Sequence, residues 1–314
     1  MMLLEKFALV AGMMLLASMW PAPVSPAYGS RQPGDEPPVA KESPAQKSAT
    51  PAPQPKRDEI WLLVAESKVI ATGTLGVPVE SIRAHLSSKK HDYVELTVHR
   101  DESLKGEHPV DFKVRWFTKP VRYSPDPEHV IELDGKKVLL FLVKVDKGST
   151  KGLYFAAQAP GALVEADAKR IEEVRREIML QKELLARFQE LAPPEKEPLY
   201  RKVKELIDAA TSKETQMDAF RQLEDLGPKA VPAIIMLMDD HRDLAIPRIA
   251  LSNPPKAWEA IRQYSPKKVV DAMSAILNQL TGQTFGDIES GGSEMERKET
   301  VDGWRIYMLK TAKR

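Results

Sequence analysis

Short runs between residues 58 and 163 of this chain carry hydrophobic residues at every second position, and beyond them the hydrophobic residues recur at every third or fourth. The first spacing is that of half-buried strands and the second that of amphipathic helices. A chain whose strands come first and whose helices follow is expected to be an α+β protein, with its sheet segregated from its helices. The same division sets the domains: a β domain at 58–163, a long connecting helix at 164–192 and an α-helical domain with a C-terminal cap at 198–314.

The β half divides into short runs separated by turn residues. Lys68–Leu75 (KVIATGTL) reads as a strand that ends near Gly76 and Pro78. In Asp92–Arg100 the residues Val94, Leu96 and Val98 share one face, with Tyr93, Glu95, Thr97 and His99 on the other. Val110–Phe117 alternates likewise, placing Phe112, Val114 and Trp116 together. Lys137–Val145 (KVLLFLVKV) is nearly all apolar, which predicts a central strand buried on both sides. Leu153–Ala159 follows the turn Asp146-Lys147-Gly148, and Glu59–Glu66 reads equally as a first helical turn or a strand. Five strands with no helix pattern between them predict a small barrel or sandwich.

In 164–192, Ile171, Val174, Ile178, Leu185 and Phe188 keep a 3-4 spacing, and Pro193-Pro194 ends the pattern. This helix is expected to pack on one of the domains; the alternative is a coiled-coil dimer helix, against which Gln181 stands at a seam position. Residues 198–281 are expected to be helical throughout, with a stop at Gly227, a restart at Pro228 and later helices near 255–264 and 266–280. Ser265 is the expected N-cap of the last of these, with Pro266 at its first position. Thr281-Gly282 should stop that helix, Phe285 should fold back as an apolar plug, and Trp304 and Tyr307 should pack on the same end.

The start of the chain carries a different signal. Phe7–Trp20 is an apolar run too short to span a bilayer, preceded by Lys6 and followed by a small-residue, Pro-containing exit. Residues 1–29 are therefore expected to be a signal peptide, cleaved after Gly29 or after Ala27; an uncleaved anchor is the alternative, since Glu5 weakens the basic region. Residues 30–57, rich in Pro, Ala and Ser, are expected to be a disordered linker: either a spacer or a variable mature N-terminus. The chain has no cysteine, which removes disulfides, thiolate metal sites, thiol catalysis and lipid attachment at a cysteine. With 46 basic and 45 acidic residues it offers no field for nucleic acid or anionic lipid. No second apolar stretch approaches spanning length, so no membrane insertion is expected after cleavage.

Two resemblances follow from particular strings. Thr72-Gly73-Thr74, then Ser103-Leu104-Lys105-Gly106, then Asp134-Gly135-Lys136-Lys137-Val138-Leu139-Leu140-Phe141-Leu142 together resemble secreted bacterial OB-like domains related to the netrin/tissue-inhibitor module. The resemblance implies a five-stranded OB-like barrel. The cysteines of the animal versions are missing, so protease inhibition is not implied. Leu226-Gly227-Pro228-Lys229-Ala230-Val231-Pro232-Ala233-Ile234 resembles the inter-helix turn and second helix of a HEAT repeat. The string from Val270 to Gly286, followed by Gly303-Trp304-Arg305-Ile306-Tyr307, resembles the terminal element of secreted bacterial HEAT-repeat proteins. These imply a short HEAT-like bundle and an interaction role, not a reaction.

Candidate chemistry is thin. His241-Arg242-Asp243-Leu244 imitates a kinase catalytic loop, but Arg248 stands where that loop needs Asn. Asp239, Asp240, His241 and Asp243 could surround a cation, though a charged turn is the commoner use of such a run. Gly286–Ser293 has phosphate-loop spacing, but Gly292 replaces the lysine, so a flexible loop is expected. Ser265-Pro266-Lys267-Lys268 matches an S-x-x-K string without its partner motifs. His85, His91, His99, His108 and His129 lie in or near the β half without metal-ligand spacing. Tyr93, Trp116, Phe117 and Tyr123 either line a binding face or belong to the core. No catalytic, cofactor-binding or metal-ligating residue is assigned, and no cofactor is expected.

The resulting expectation is an exported, non-enzymatic binding or interaction protein of the bacterial cell envelope, periplasmic or extracellular. Its partner would be a protein or an envelope polymer. The alternatives are an assembly protein that dimerises through the connecting helix and a metal-assisted hydrolase at the domain junction.

Overall fold

The computed structural model describes residues 59–87, 93–117, 126–145, 153–157, 160–252 and 261–312. The expected signal segment and linker, His91 and Tyr123 lie outside them. The chain is α+β. In chain order its elements are α1 (Ile60–Glu66), β1 (Val69–Gly76), α2 (Val79–Ser87), β2 (Tyr93–Lys105), β3 (Asp111–Phe117), α3 (Pro127–Glu132), β4 (Lys137–Val145), β5 (Leu153–Ala156), β6 (Leu163–Glu165), α4 (Ala168–Gln189), α5 (Pro198–Ala209), α6 (Gln216–Asp225), α7 (Val231–Met236), β7 (Ile249–Ser252), β8 (Ile261–Tyr264), α8 (Val269–Thr281) and α9 (Glu294–Thr311).

Strands β1 to β5 close into a barrel in the order β1-β2-β3-β5-β4, with β4 pairing back to β1 and β6 added beyond β4. The pair β3/β5 is parallel and the other pairs are antiparallel. This order is consistent with an OB-like barrel. Two register shifts in β1, at Ile70/Ala71 and Thr72/Gly73, let that strand bend enough to pair on both sides. The alternation read from sequence sets the interior: Val94, Leu96 and Val98 from β2, and Phe112, Val114 and Trp116 from β3, meet Val138, Leu140 and Leu142 from β4. Ile82 of α2 and Val130 of α3 complete this core, from two short helices that the strand pattern did not announce.

β4 is apolar from Val138 to Val143 because both its faces are covered there. Its odd residues Leu139 and Phe141 face away from the barrel interior and pack with Leu63 and Val64 of α1 and Val174 and Ile178 of α4. Glu59–Glu66, ambiguous in sequence, is thus mostly helix, and it reaches two cores: Trp61 and Leu62 join the helical core that α5 to α9 build with Phe188 of α4. In the stripe on α4, Val174, Ile178 and Phe188 are buried within the chain and Ile171 and Leu185 half-buried. Gln181, the odd residue in that stripe, is buried as well and donates to the Trp61 carbonyl at 2.7 Å.

Residues 198–281 are not helical throughout. The expected helix at 255–264 is corrected: residues 261–264 form β8, paired antiparallel with β7, while 253–260 lie outside the described residues. The stretch Ile249-Ala250-Leu251-Ser252 alternates, with Ile249 and Leu251 buried, and Pro247 ahead of it blocks a continuing helix. The expected N-cap at Ser265 is also corrected, because α8 begins at Val269. The Asp271 carboxylate accepts the backbone N–H groups of Lys267 and Lys268, each at 3.0 Å, and so fixes the start further along. That carboxylate is fully buried against Arg297 of α9, with contacts of 2.8 and 3.0 Å.

α8 stops at Gly282 as read from sequence, and Phe285 turns back onto Trp304 and Tyr307, with ring centroids 4.8 and 6.0 Å away. Gly303 makes this closure possible: a Cβ there would lie 2.5 Å from the Phe285 Cβ. The expected flexible loop at 286–293 is packed instead. Ile288 and Glu289 are buried, and Glu289 accepts from Ser274 at 3.2 Å and Asn278 at 2.5 Å. Ser293 then caps α9, accepting from the Glu296 N–H. Among the described residues no helix is long and apolar enough to cross a membrane.

Candidate functional site

The residues that sequence reading weighed for chemistry are dispersed. Asp239 pairs with Arg305, Asp240 with Arg242, Asp243 with Lys268 at 3.4 Å, and His241 with Glu294 at 2.8 Å. The carboxylates of the 239–243 run are thus turned to separate cations rather than to one centre. His99 contacts Asp111 at 2.7 Å, His129 contacts the Leu163 carbonyl at 3.3 Å, and His85 contacts the Ser81 carbonyl at 2.6 Å. His108 is buried against Phe112 and Tyr154. No group of three or more potential ligands gathers among the described residues. Trp116 belongs to the barrel core, while Tyr93 is exposed beneath the Arg115 guanidinium, 4.0 Å from its ring centroid.

A different site lies where barrel and helices meet. A cavity of about 180 Å3 is bounded by the end of α1, the start of β1, the end of β2, α4 and α9. Each wall has a local cause. α1 ends at Glu66, and Ser67 and Lys68 lead straight into β1, so these residues fall at the barrel rim. β2 runs four residues past Asp101 to Lys105 and turns at Gly106, where φ is +72° and a Cβ would meet the Lys68 carbonyl at 2.4 Å. The glycine therefore lets β2 end tight against the start of β1, which aims Lys105 under α1. α4 contributes Ile178, Gln181 and Leu185 from one face. α9 contributes Glu299, Asp302, Gly303 and Ile306, and Phe285 closes the end, so the aromatic plug is also a wall of the cavity.

Lys105 is the central polar group. Its ammonium donates to the Val64 carbonyl at 2.7 Å, one of the last carbonyls of α1, which lack helical partners of their own. The residue as a whole is half-buried, yet the ammonium itself is enclosed, and burial pushes its pKa from 10.5 down to about 8 against the opposing pull of Glu299 and Asp302. Lys68 pairs with Glu299 at 3.1 Å, and Asp302 with Lys298 at 2.7 Å. Below them Gln181 and Lys310 both hold Glu177, at 3.0 and 2.9 Å. Ser67 is 1 % exposed and its hydroxyl has no hydrogen-bond partner. A buried hydroxyl left unpaired costs on the order of 1–3 kcal/mol, and a ligand group that reached it would recover that cost.

Such an arrangement has the groups of a ligand-binding pocket. It offers an enclosed cation, an unsatisfied hydroxyl, two carboxylates and an apolar floor. Sequence reading quoted Lys105 only as part of a turn string and did not mark Ser67, Glu299 or Asp302. The turn string was the one available pointer. No protein-family model matches the chain, and no curated protein matches it.

Proposed function

We propose that this chain is an exported, non-enzymatic binding protein of the bacterial cell envelope, in which an OB-like barrel and a HEAT-like helical part together form one ligand pocket. The observation that supports it is the junction cavity, whose walls come from both halves and which holds an enclosed ammonium and an unpaired hydroxyl. A pocket with an apolar lining and a few convergent polar groups is the usual form of a small-ligand site. Export rests on the apolar segment at 7–20 and the Pro-rich stretch behind it. The HEAT-like reading rests on the Leu226–Ile234 string, which runs from the C-cap of α6 through the 3-10 turn Gly227–Ala230 into most of α7, and on the plug at Phe285.

The pocket reading is tested by thermal unfolding against a set of small, polar-headed molecules, comparing wild type with Leu185→Trp, which fills the cavity from its half-buried rim. Stabilisation lost in the variant supports the reading. Stabilisation equal in both proteins, or absent across the set, overturns it. The export reading is tested by the N-terminal residue of the envelope-extracted protein: Ser30 or Tyr28 supports cleavage, and Met1 in a cytoplasmic fraction overturns export.

A further inference from the structure

The charged residues around the junction cavity balance in sign. Lys68, Lys105 and Lys182 stand against Glu66, Glu299 and Asp302. One barrel-rim cation, Lys68, is already paired with Glu299 at 3.1 Å, whereas Lys105 donates to a carbonyl. Lys105 and the unpaired Ser67 hydroxyl come from the barrel rim, while Glu299 and Asp302 lie one turn apart on the same face of α9. Ile178 and Leu185 of α4 and Ile306 of α9 supply an apolar surface beside them. A simple anion would meet two carboxylates here, and a simple cation would meet the enclosed ammonium. A ligand carrying both charges a few ångströms apart satisfies both walls. The volume of about 180 Å3 equals that of about six waters, which limits the ligand to a small molecule.

We propose that the junction pocket binds the α-amino-carboxylate head of a small aliphatic amino acid. The carboxylate accepts from the Lys105 ammonium and the Ser67 hydroxyl, the ligand ammonium faces Glu299 and Asp302, and the aliphatic side chain lies on Ile178, Leu185 and Ile306. This rests on the pocket being a binding site, and it adds the class of ligand.

Three matched probes separate the two claims: leucine in both enantiomers, 4-methylpentanoate, which lacks the amine, and isoamylamine, which lacks the carboxylate. Titration calorimetry on the full chain should show leucine of one hand binding, with each truncated probe weaker by about tenfold or more, since each loses hydrogen bonds to charged groups. Lys105→Met and Ser67→Ala should each weaken leucine. The double variant Glu299→Gln with Asp302→Asn should weaken leucine and leave 4-methylpentanoate as tight or tighter. Leu185→Trp should abolish all binding. If 4-methylpentanoate or isoamylamine binds as tightly as leucine and Leu185→Trp abolishes it, the pocket stands and the amino-acid proposal is overturned. If no probe binds, the proposal is overturned, and the pocket reading then stands or falls on the wider thermal screen. Ser67→Ala removes only an unpaired hydroxyl, so its loss of binding is not attributable to misfolding when its melting temperature matches wild type.

Discussion

Burying the Lys105 ammonium has a measurable thermodynamic signature. In the unfolded chain its pKa returns to 10.5, and in the folded protein it is about 8. Between those values the unfolded state holds a proton that the folded state has released, so stability rises with pH across this window. Below about pH 8 both states are protonated and the full cost of burial is present; above 10.5 both are neutral and it is gone. The gap corresponds to about 3 kcal/mol. Lys105→Met has no such group. The difference in unfolding free energy, wild type minus Lys105→Met, should therefore climb by about 3 kcal/mol between pH 8 and pH 10.5. Urea unfolding followed by tryptophan emission at four pH values in that range measures it, and other lysines and tyrosines cancel in the difference. Parallel pH profiles for the two proteins would refute the enclosure of the ammonium, and with it the electrostatic basis of the pocket. At pH 7 the variant should be no less stable than wild type by more than the worth of the lost contact to the Val64 carbonyl, about 1–3 kcal/mol.

Other expectations concern the helical core. Asp271→Ala leaves the buried Arg297 guanidinium with Glu294, at 2.7 Å, as its remaining acidic partner and should cost up to about 3 kcal/mol in chemical unfolding; a loss under about 1 kcal/mol would show that Glu294 or water replaces the lost carboxylate. Gly303→Ala drives a methyl group into the Phe285 ring and should lower stability by about 1–3 kcal/mol, with a change in Trp304 emission. Burial raises the Glu289 pKa above 4.5, so its contribution is most favourable below that value and is lost as pH rises through the folded pKa. Glu289→Gln should accordingly raise the melting temperature at pH 7 and leave it nearly unchanged at pH 4; a rise at both would mean that the charge is not the cause.

The strands were legible because alternation is a local property. Val94, Leu96 and Val98 show it within five residues, and the continuous apolar run of β4 already implied cover on both faces. The stop at Gly282 and the Phe285 plug were legible because glycine and aromatic residues have few other uses at a helix end. β7 and β8, four residues each, were hidden by the helical pattern around them, and α2 and α3 show one buried apolar residue apiece. The pocket was not legible for another reason. Lys105 is enclosed by α4 and α9, whose residues follow it by tens to hundreds of positions, and no pattern near it records that burial. Ser67 is likewise a short polar residue between two elements until α9 covers it.

β4 is a party wall. Leu140 looks into the barrel while Leu139 and Phe141, its neighbours in the chain, lean on α1 and α4. The break in hydrophobic spacing at residue 163 therefore marks where the folding pattern changes, not a place where the chain can be cut. A fragment ending there would strip Val174 and Ile178 of α4 from Leu139 and Phe141, and one beginning there would lack Trp61 and Leu62 from its own core. Any separation of these halves would have to carry α1 in both directions at once, because its residues belong to both cores.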